Sequence, residues 1–193
     1  MGSSSQNIRD RYVLGEKIGQ GSFGVVYHAT DRLKKRDVAL KVLLPQFAEK
    51  DLARQRAMSL YKRWHELAQI GLGEDDAAPA ENRIELPYID INEIEEVSTL
   101  NGVRMFVSMP PAQTSMENWM AGLPNSAPSQ ALIKIGLEFI YQLANGLAVF
   151  HRNNLVHEGI HSRNILLFEK PSAAQQNKHV AKFADFGVLK LLR

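Results

Sequence analysis

Three closely spaced glycines, in Gly19-Gln20-Gly21-Ser22-Phe23-Gly24, constrain this chain more than any other stretch. Tyr12 to Ile18 leads in with β-branched and aromatic residues and Val25 to Ala29 leads out, so the glycines mark a turn between two strands. Lacking a Cβ, they allow a tight turn and close approach of a ligand to the backbone. The N–H groups of such a turn can point at phosphate oxygens. The spacing alone also fits an ordinary hairpin with a glycine-rich tip. A dinucleotide-binding turn needs a helix directly after the third glycine, and here the strand-like Val25-Val26-Tyr27 follows. The next strand, Val38-Ala39-Leu40-Lys41, is apolar except for its lysine. A buried ammonium is costly unless an anion meets it, so phosphate and a helix carboxylate are natural partners for Lys41. The competing reading is a strand-edge lysine reaching out to water.

Composition closes off several classes. A length of 193 residues suits one large or two small domains. The net charge is +2 with the basic residues dispersed, which gives no stripe for nucleic acid. With no cysteine there can be no disulfide and no thiolate metal site. No apolar run is expected to reach membrane-spanning length, and Met1 to Ser5 lacks the core of a signal peptide. Gln6 breaks the N-myristoylation pattern after Gly2. The expectation is a cytoplasmic protein with neither a membrane nor a nucleic-acid partner.

Along the chain, strands are expected at Tyr12–Lys17, Gly24–Thr30 and Asp37–Leu44, the last closed by Pro45. Helix formers dominate Glu49 to Ile70, with Leu52, Ala57, Leu60, Trp64 and Leu67 on one face. Glu74 to Glu81 reads as an acidic, solvated loop. Two further strands flank the hairpin signal Asn101-Gly102. Met109-Pro110-Pro111-Ala112 cannot continue a central strand and reads as a connector. A short helix at Met116–Met120 precedes a long apolar one from Ser126 to Arg152, for which Ser129 or a neighbour can act as cap. Short strands follow at Leu155–Val156, Ile165–Phe168 and Val180–Phe183.

Gln142 to His151, Asn164-Ile165-Leu166-Leu167 and Ala184-Asp185-Phe186-Gly187 complete an ordered set with the glycine run and Lys41. On these residues the chain, from about residue 11 to its end, resembles the eukaryotic-type protein kinases. The resemblance implies an α+β fold: an N-terminal antiparallel five-stranded sheet with one helix, then a reduced, mainly helical C-terminal lobe. Residues 1–10 would be a polar lead-in, 11–108 the N-lobe, 109–112 the hinge and 113–193 a partial C-lobe. It implies ATP and Mg²⁺ as cofactors. Ile18, Gly19, Gly21, Ser22, Phe23, Gly24, Val26, Ala39, Lys41, Ser108, Met109 and Leu166 are the implied nucleotide contacts. Val26, Ala39 and Leu166 would sandwich the adenine, and Ser108 would stand at the mouth of its pocket. Asn164 and Asp185 are the implied metal ligands, hard oxygen donors suited to Mg²⁺. Their bland readings are an Asx turn and a capped turn.

Three departures from the family pattern bear on function. Counting back five residues from Asn164 puts Gly159 where the catalytic loop has its general-base Asp, with Glu158 in place of the Arg and His161 at a phosphate-contacting position. Leu60 stands where the helix glutamate that pairs with Lys41 is expected, with Glu66 as the alternative if the preceding loop is longer. The sequence ends at Arg193, six residues after Gly187, compatible with a minimal protein, a partner-completed one or a truncation. The expected function is a nucleotide-binding pseudokinase module for regulation or scaffolding. The alternatives are an active kinase or other ATP-dependent transferase using His161 or Glu158, and an interaction module with an empty pocket. The apolar long helix adds the expectation of a protein partner or self-association.

Overall fold

The computed structural model describes residues 8–70, 89, 91–99, 102–126, 128–169 and 179–185. These divide into two units, one of residues 8–67 and 91–111 and one of 68–70, 89 and the described part of 112–185. The acidic loop at Glu74–Glu81, and Phe186 and Gly187, lie outside the described residues.

The first unit opens with a helical turn, α1 (Ile8–Arg11), and strands β1 (Tyr12–Gln20), β2 (Gly24–Asp31) and β3 (Arg36–Leu43). A helical turn α2 (Pro45–Ala48) and helix α3 (Asp51–Ile70) precede strands β4 (Glu93–Thr99) and β5 (Gly102–Met109). The sheet is five-stranded and antiparallel throughout, as the resemblance implied, and its order is β1-β2-β3-β5-β4. Its β-branched and aromatic side chains alternate, and Tyr12, Ala29, Val38, Leu40 and Phe106 pack as one apolar cluster. Ala57, Tyr61 and Trp64 recur at helical spacing on α3 and are fully buried, with the Tyr61 and Trp64 rings stacked at 6.1 Å. Pro45 ends β3 as expected and also occupies the first turn of α2, where its missing N–H costs nothing.

The second unit contains β6 (Thr114–Ser115), α4 (Met116–Ala121), α5 (Gln130–Arg152), a 3-10 turn at Ser162–Asn164, β7 (Ile165–Glu169) and β8 (His179–Phe183). The strands form an antiparallel sheet in the order β6-β7-β8. Ser115 caps α4 by accepting the Asn118 N–H at 3.2 Å, and Ser129 caps α5 by accepting that of Leu132 at 3.2 Å. Met116, Phe139, Leu167 and Ala181 form the buried cluster, joined by Trp119, whose ring meets Phe139 edge-on at 5.4 Å. Gln142 of α5 accepts the Ala181 N–H at 2.9 Å and ties the helix to β8.

Leu155–Val156, expected as a strand, is not one: Leu155 is buried, but Val156 is exposed and neither residue lies in a ladder. The helix α5 is long and apolar enough to span a membrane by length and composition, although the sequence reading found no such run. It buries Phe139, Gly146 and Phe150 within the unit and leaves Ile133, Leu137, Ile140 and Tyr141 exposed.

Candidate nucleotide site

Each part of the candidate site is set by its own local geometry. In the glycine-rich turn, Gly19 pairs with Val26 and Gln20 with Val25, and the Gly21 N–H donates to the Gly24 carbonyl at 3.0 Å. The three glycines serve different ends. A Cβ on Gly24 would stand 2.6 Å from the Val42 carbonyl oxygen and 3.2 Å from Lys41 Cγ, so the packing of β2 on β3 demands glycine there. A Cβ on Gly21 would meet nothing within 4 Å, and one on Gly19 would make ordinary contact with Val26. The fold therefore leaves the bare backbone at Gly21 unexplained and the turn beside it open. Ser22 is exposed, as is Ile18. Phe23 is turned inward: it is buried and packs on Phe47 of α2 at 5.1 Å. Its ring anchors the turn from beneath.

Register decides which residues share the face of Lys41. Lys41 pairs with Val26 on one side and Val107 on the other, and Ala39 pairs with His28 and Met109. Paired residues, and those two apart on one strand, point to the same face. Val26, Ala39, Lys41, Val107 and Met109 thus line one face of the sheet, and Lys41 is buried there.

Ser108 does not join them. It pairs with Leu40 and points to the opposite face, where Phe106 and the Tyr12 phenol lie. The expectation that Ser108 opens onto the adenine pocket is corrected by this one-residue offset, which moves a side chain to the other side of a sheet. Met109, expected in the connector, is instead the last residue of β5. On α3, Leu60 is half-buried and Glu66 is exposed.

In the second unit the loop His157 to Asn164 is held by hydrogen bonds within itself. The Asn164 side-chain amide donates from Nδ2 to the Gly159 carbonyl at 2.9 Å. The Ala184 N–H donates to the Asn164 carbonyl at 2.8 Å, which joins the loop to the segment carrying Asp185. His157 is buried, its ring 4.9 Å from Phe183 and edge-on to Phe150 at 6.0 Å. Its Nδ1 accepts the Gly159 N–H at 3.3 Å. Burial pushes the imidazole down to about 4 against the opposing pull of the Asp185 charge, so the ring is neutral at physiological pH. Glu158 and Asp185 both have left-handed backbones, at φ 59° and 55°.

Gly159 does not share that conformation. A Cβ added to it would lie 3.4 Å from Asn164 Nδ2, 3.8 Å from His157 Nδ1 and 3.8 Å from the Asp185 carbonyl oxygen. A Cβ therefore fits at Gly159 in ordinary contact. His161 is exposed, and Arg163 forms an exposed ion pair with Glu117 at 2.8 Å. Leu166 is half-buried on β7, paired with Ser115 and Lys182.

The family described as protein tyrosine and serine/threonine kinase matches residues 12–193 of this chain. The chain belongs to that kinase family. Similar proteins include the mitogen-activated protein kinase mpkC of Neosartorya fischeri, 27% identical over 183 residues that cover 94% of this chain and 39% of the relative. A serine/threonine-protein kinase of Kluyveromyces lactis is 27% identical over 190 residues, 93% of this chain and 27% of that protein. The serine/threonine-protein kinase ATG1 of Pyricularia oryzae is 26% identical over 170 residues, 87% of this chain and 17% of the relative. The chain therefore spans between 17 and 39% of the length of these kinases.

Within this kinase domain, the donor set suits the metal that the family normally uses. Asn164 commits Nδ2 to the loop, which leaves its amide Oδ1 as an acceptor, and Asp185 supplies a carboxylate. Mg²⁺ is characteristically held by one or two such oxygens, with substrate phosphates and water completing the shell. Among the described residues no cluster of three His, Cys, Asp or Glu forms a metal cage of its own. Such donors are of the kind that hold a Mg²⁺ carried on phosphate oxygens.

Proposed function

We propose that this kinase domain binds ATP with Mg²⁺ and acts as a pseudokinase: a regulatory or scaffold module in which phosphoryl transfer is severely weakened. Gly21, with open space beside its backbone, and the buried Lys41 serve the phosphates. Val26, Ala39 and Met109 offer the apolar face beside Lys41. Asn164 and Asp185 hold the Mg²⁺, whose bound charge screens the triphosphate.

The observation that carries the reading is Gly159. The loop around it is built and hydrogen-bonded, yet the position that should accept or orient the substrate hydroxyl has no side chain. General-base groups contribute about 10²–10⁴ in rate, whereas nucleotide binding needs no base. The test is incubation of the chain with ATP and Mg²⁺ followed by intact-mass spectrometry, beside a peptide-phosphorylation assay. The reading expects no added mass and negligible peptide phosphorylation. A gain of phosphate would instead mark an active kinase, and a gain of AMP a nucleotidyl transferase using His161 or Glu158.

Lys41→Ala is expected to weaken ATP binding by about 10- to 100-fold, because a charge-assisted hydrogen bond contributes about 1.5–3 kcal/mol. Unchanged affinity in titration calorimetry would place any bound nucleotide elsewhere.

A partner-dependent role is supported by α5. Ile133, Leu137, Ile140 and Tyr141 are exposed along one stripe of that helix, between 50 and 71% accessible. We propose that a protein partner or a second copy covers it. Sedimentation as a stable monomer that binds no hydrophobic dye would contradict this.

A further inference from the structure

The two edges of the five-stranded sheet, β1 and β4, are not hydrogen-bonded neighbours, yet side chains join them. The Arg11 guanidinium, at the entry to β1, pairs with Glu93 and, at 2.7 Å, with Glu95 of β4. Tyr12, the first residue of β1, donates its hydroxyl to Glu95 at 3.0 Å. Arg11 also reaches Asp31 at the end of β2, at 2.9 Å, and Lys34 of the β2–β3 turn pairs with Glu93. Asp31 is fully buried and accepts the Leu33 and Lys34 N–H groups at 3.0 and 3.1 Å. Three carboxylates, two cations and a phenol thus form one satisfied cluster, of the kind in which each member costs a great deal if a partner is lost.

Burial opposes the charge on Asp31 and Glu93, but their partners outweigh it. The hydrogen bond from Arg11 for Asp31, and that from Lys34 for Glu93, help hold both carboxyls below the usual carboxylate range. Asp31 and Glu93 stay ionised at neutral pH.

Beyond this cluster, β1 is held by its ladder to β2 on one side only. Of its residues only Tyr12 is buried. Its ladder to β2 is interrupted by register shifts between Leu14 and Lys17 and again between Lys17 and Gly19. Its far end is the glycine-rich turn. A strand with one buried side chain and a broken ladder belongs to the easily opened part of a domain.

We infer that Arg11 and Tyr12, gripping Glu93, Glu95 and Asp31, are a clasp that closes the sheet edge to edge, and that releasing it frees β1 and the glycine-rich turn as a flap. The clasp lies away from the face of Lys41, so it governs the flap without touching a nucleotide. The device is independent of whether ATP binds.

Hydrogen–deuterium exchange of the nucleotide-free chain tests it. Glu95→Gln removes the charge that meets Arg11 and Tyr12, and Tyr12→Phe removes the hydroxyl that reaches Glu93 and Glu95, both with little change in shape; Arg11→Met removes three ion pairs. Exchange of the amides over residues 12–20 is expected to quicken by about tenfold in Arg11→Met and by less in the two milder variants, while β5 and α5 keep their protection. Unchanged exchange over 12–20 in all three variants would overturn the inference. So would an increase shared equally by β1, β5 and α5, which would mean general destabilisation. If Arg11→Met does not fold, the two milder variants still decide between these outcomes.

Discussion

Two glycines, Gly24 in the first unit and Gly159 in the second, sit in the loops that matter most for this domain, and they are there for opposite reasons. At Gly24 a side chain would collide with the Val42 carbonyl at 2.6 Å, so the backbone itself requires glycine. At Gly159 the nearest atoms stand at 3.4 Å or beyond and the backbone is not left-handed, so nothing in the fold requires it. The first glycine is part of the scaffold. On the reading proposed above, the second stands where a functional group is missing, in a loop that Asn164 and His157 tie together: Asn164 Nδ2 donates to the Gly159 carbonyl, and His157 Nδ1 accepts the Gly159 N–H. A glycine's meaning lies in what its absent Cβ would meet.

The largest effect expected from this contrast is a gain. Gly159→Asp should raise phosphoryl transfer about 10²–10⁴-fold, the usual contribution of a positioned base. Peptide phosphorylation measured with labelled ATP checks it. No gain in a folded variant would show that the defect lies elsewhere in the domain.

The support beneath Gly159 gives the next effect. His157 is held near 4 when folded, against about 6.5 when unfolded. As pH falls below about 6.5 the unfolded chain takes the proton first, so stability drops until the folded ring also titrates near 4. The full difference is about 3 kcal/mol, present above pH 6.5 and lost by pH 4. The imidazole signal of His157 in an NMR titration should move near pH 4. A midpoint above 6 would mean that the ring is not sealed between Phe150 and Phe183.

Gly24→Ala follows, with an expected loss of about 1–3 kcal/mol because backbone oxygen cannot yield as a flexible side chain does. Gly21→Ala, facing open space, should leave stability within about 0.5 kcal/mol. Denaturant unfolding of both variants checks the pair. Equal losses would erase the distinction between a glycine that packing requires and one that faces open space in that turn.

Much of this was legible in the sequence. The glycine run between β-branched stretches, the Ser129 cap and the apolar spacing of α5 each specify local structure through a short-range rule. The buried face of α3 was half-read: Ala57 and Trp64 were expected there, while Tyr61 belongs to it and Leu52 is exposed. What escaped was set by contacts between distant strands. The facing of Ser108 depends on how β5 registers against β3, and no local pattern fixes that register because Met105 to Met109 is buried at every position. Strand β6 is two residues long and exists only because Thr114 and Ser115 lie beside β7. Leu155 looked like a strand residue because it is apolar, and it is apolar because it is buried in a loop. The clasp joins residues more than eighty apart, through charges that singly read as surface residues.

The central claim is that nucleotide binding survives the loss of the base at Gly159. Thermal unfolding of the wild-type chain and of Gly159→Asp, each titrated with ATP with and without Mg²⁺, tests it most directly. Both proteins should be stabilised by about 2.7 kcal/mol at a ligand concentration near 100 times Kd, with closely similar Kd values that both tighten with Mg²⁺. A wild-type chain that ATP fails to stabilise, beside a Gly159→Asp variant that it does, would contradict the claim, because the glycine would then have cost the domain its ligand as well as its chemistry.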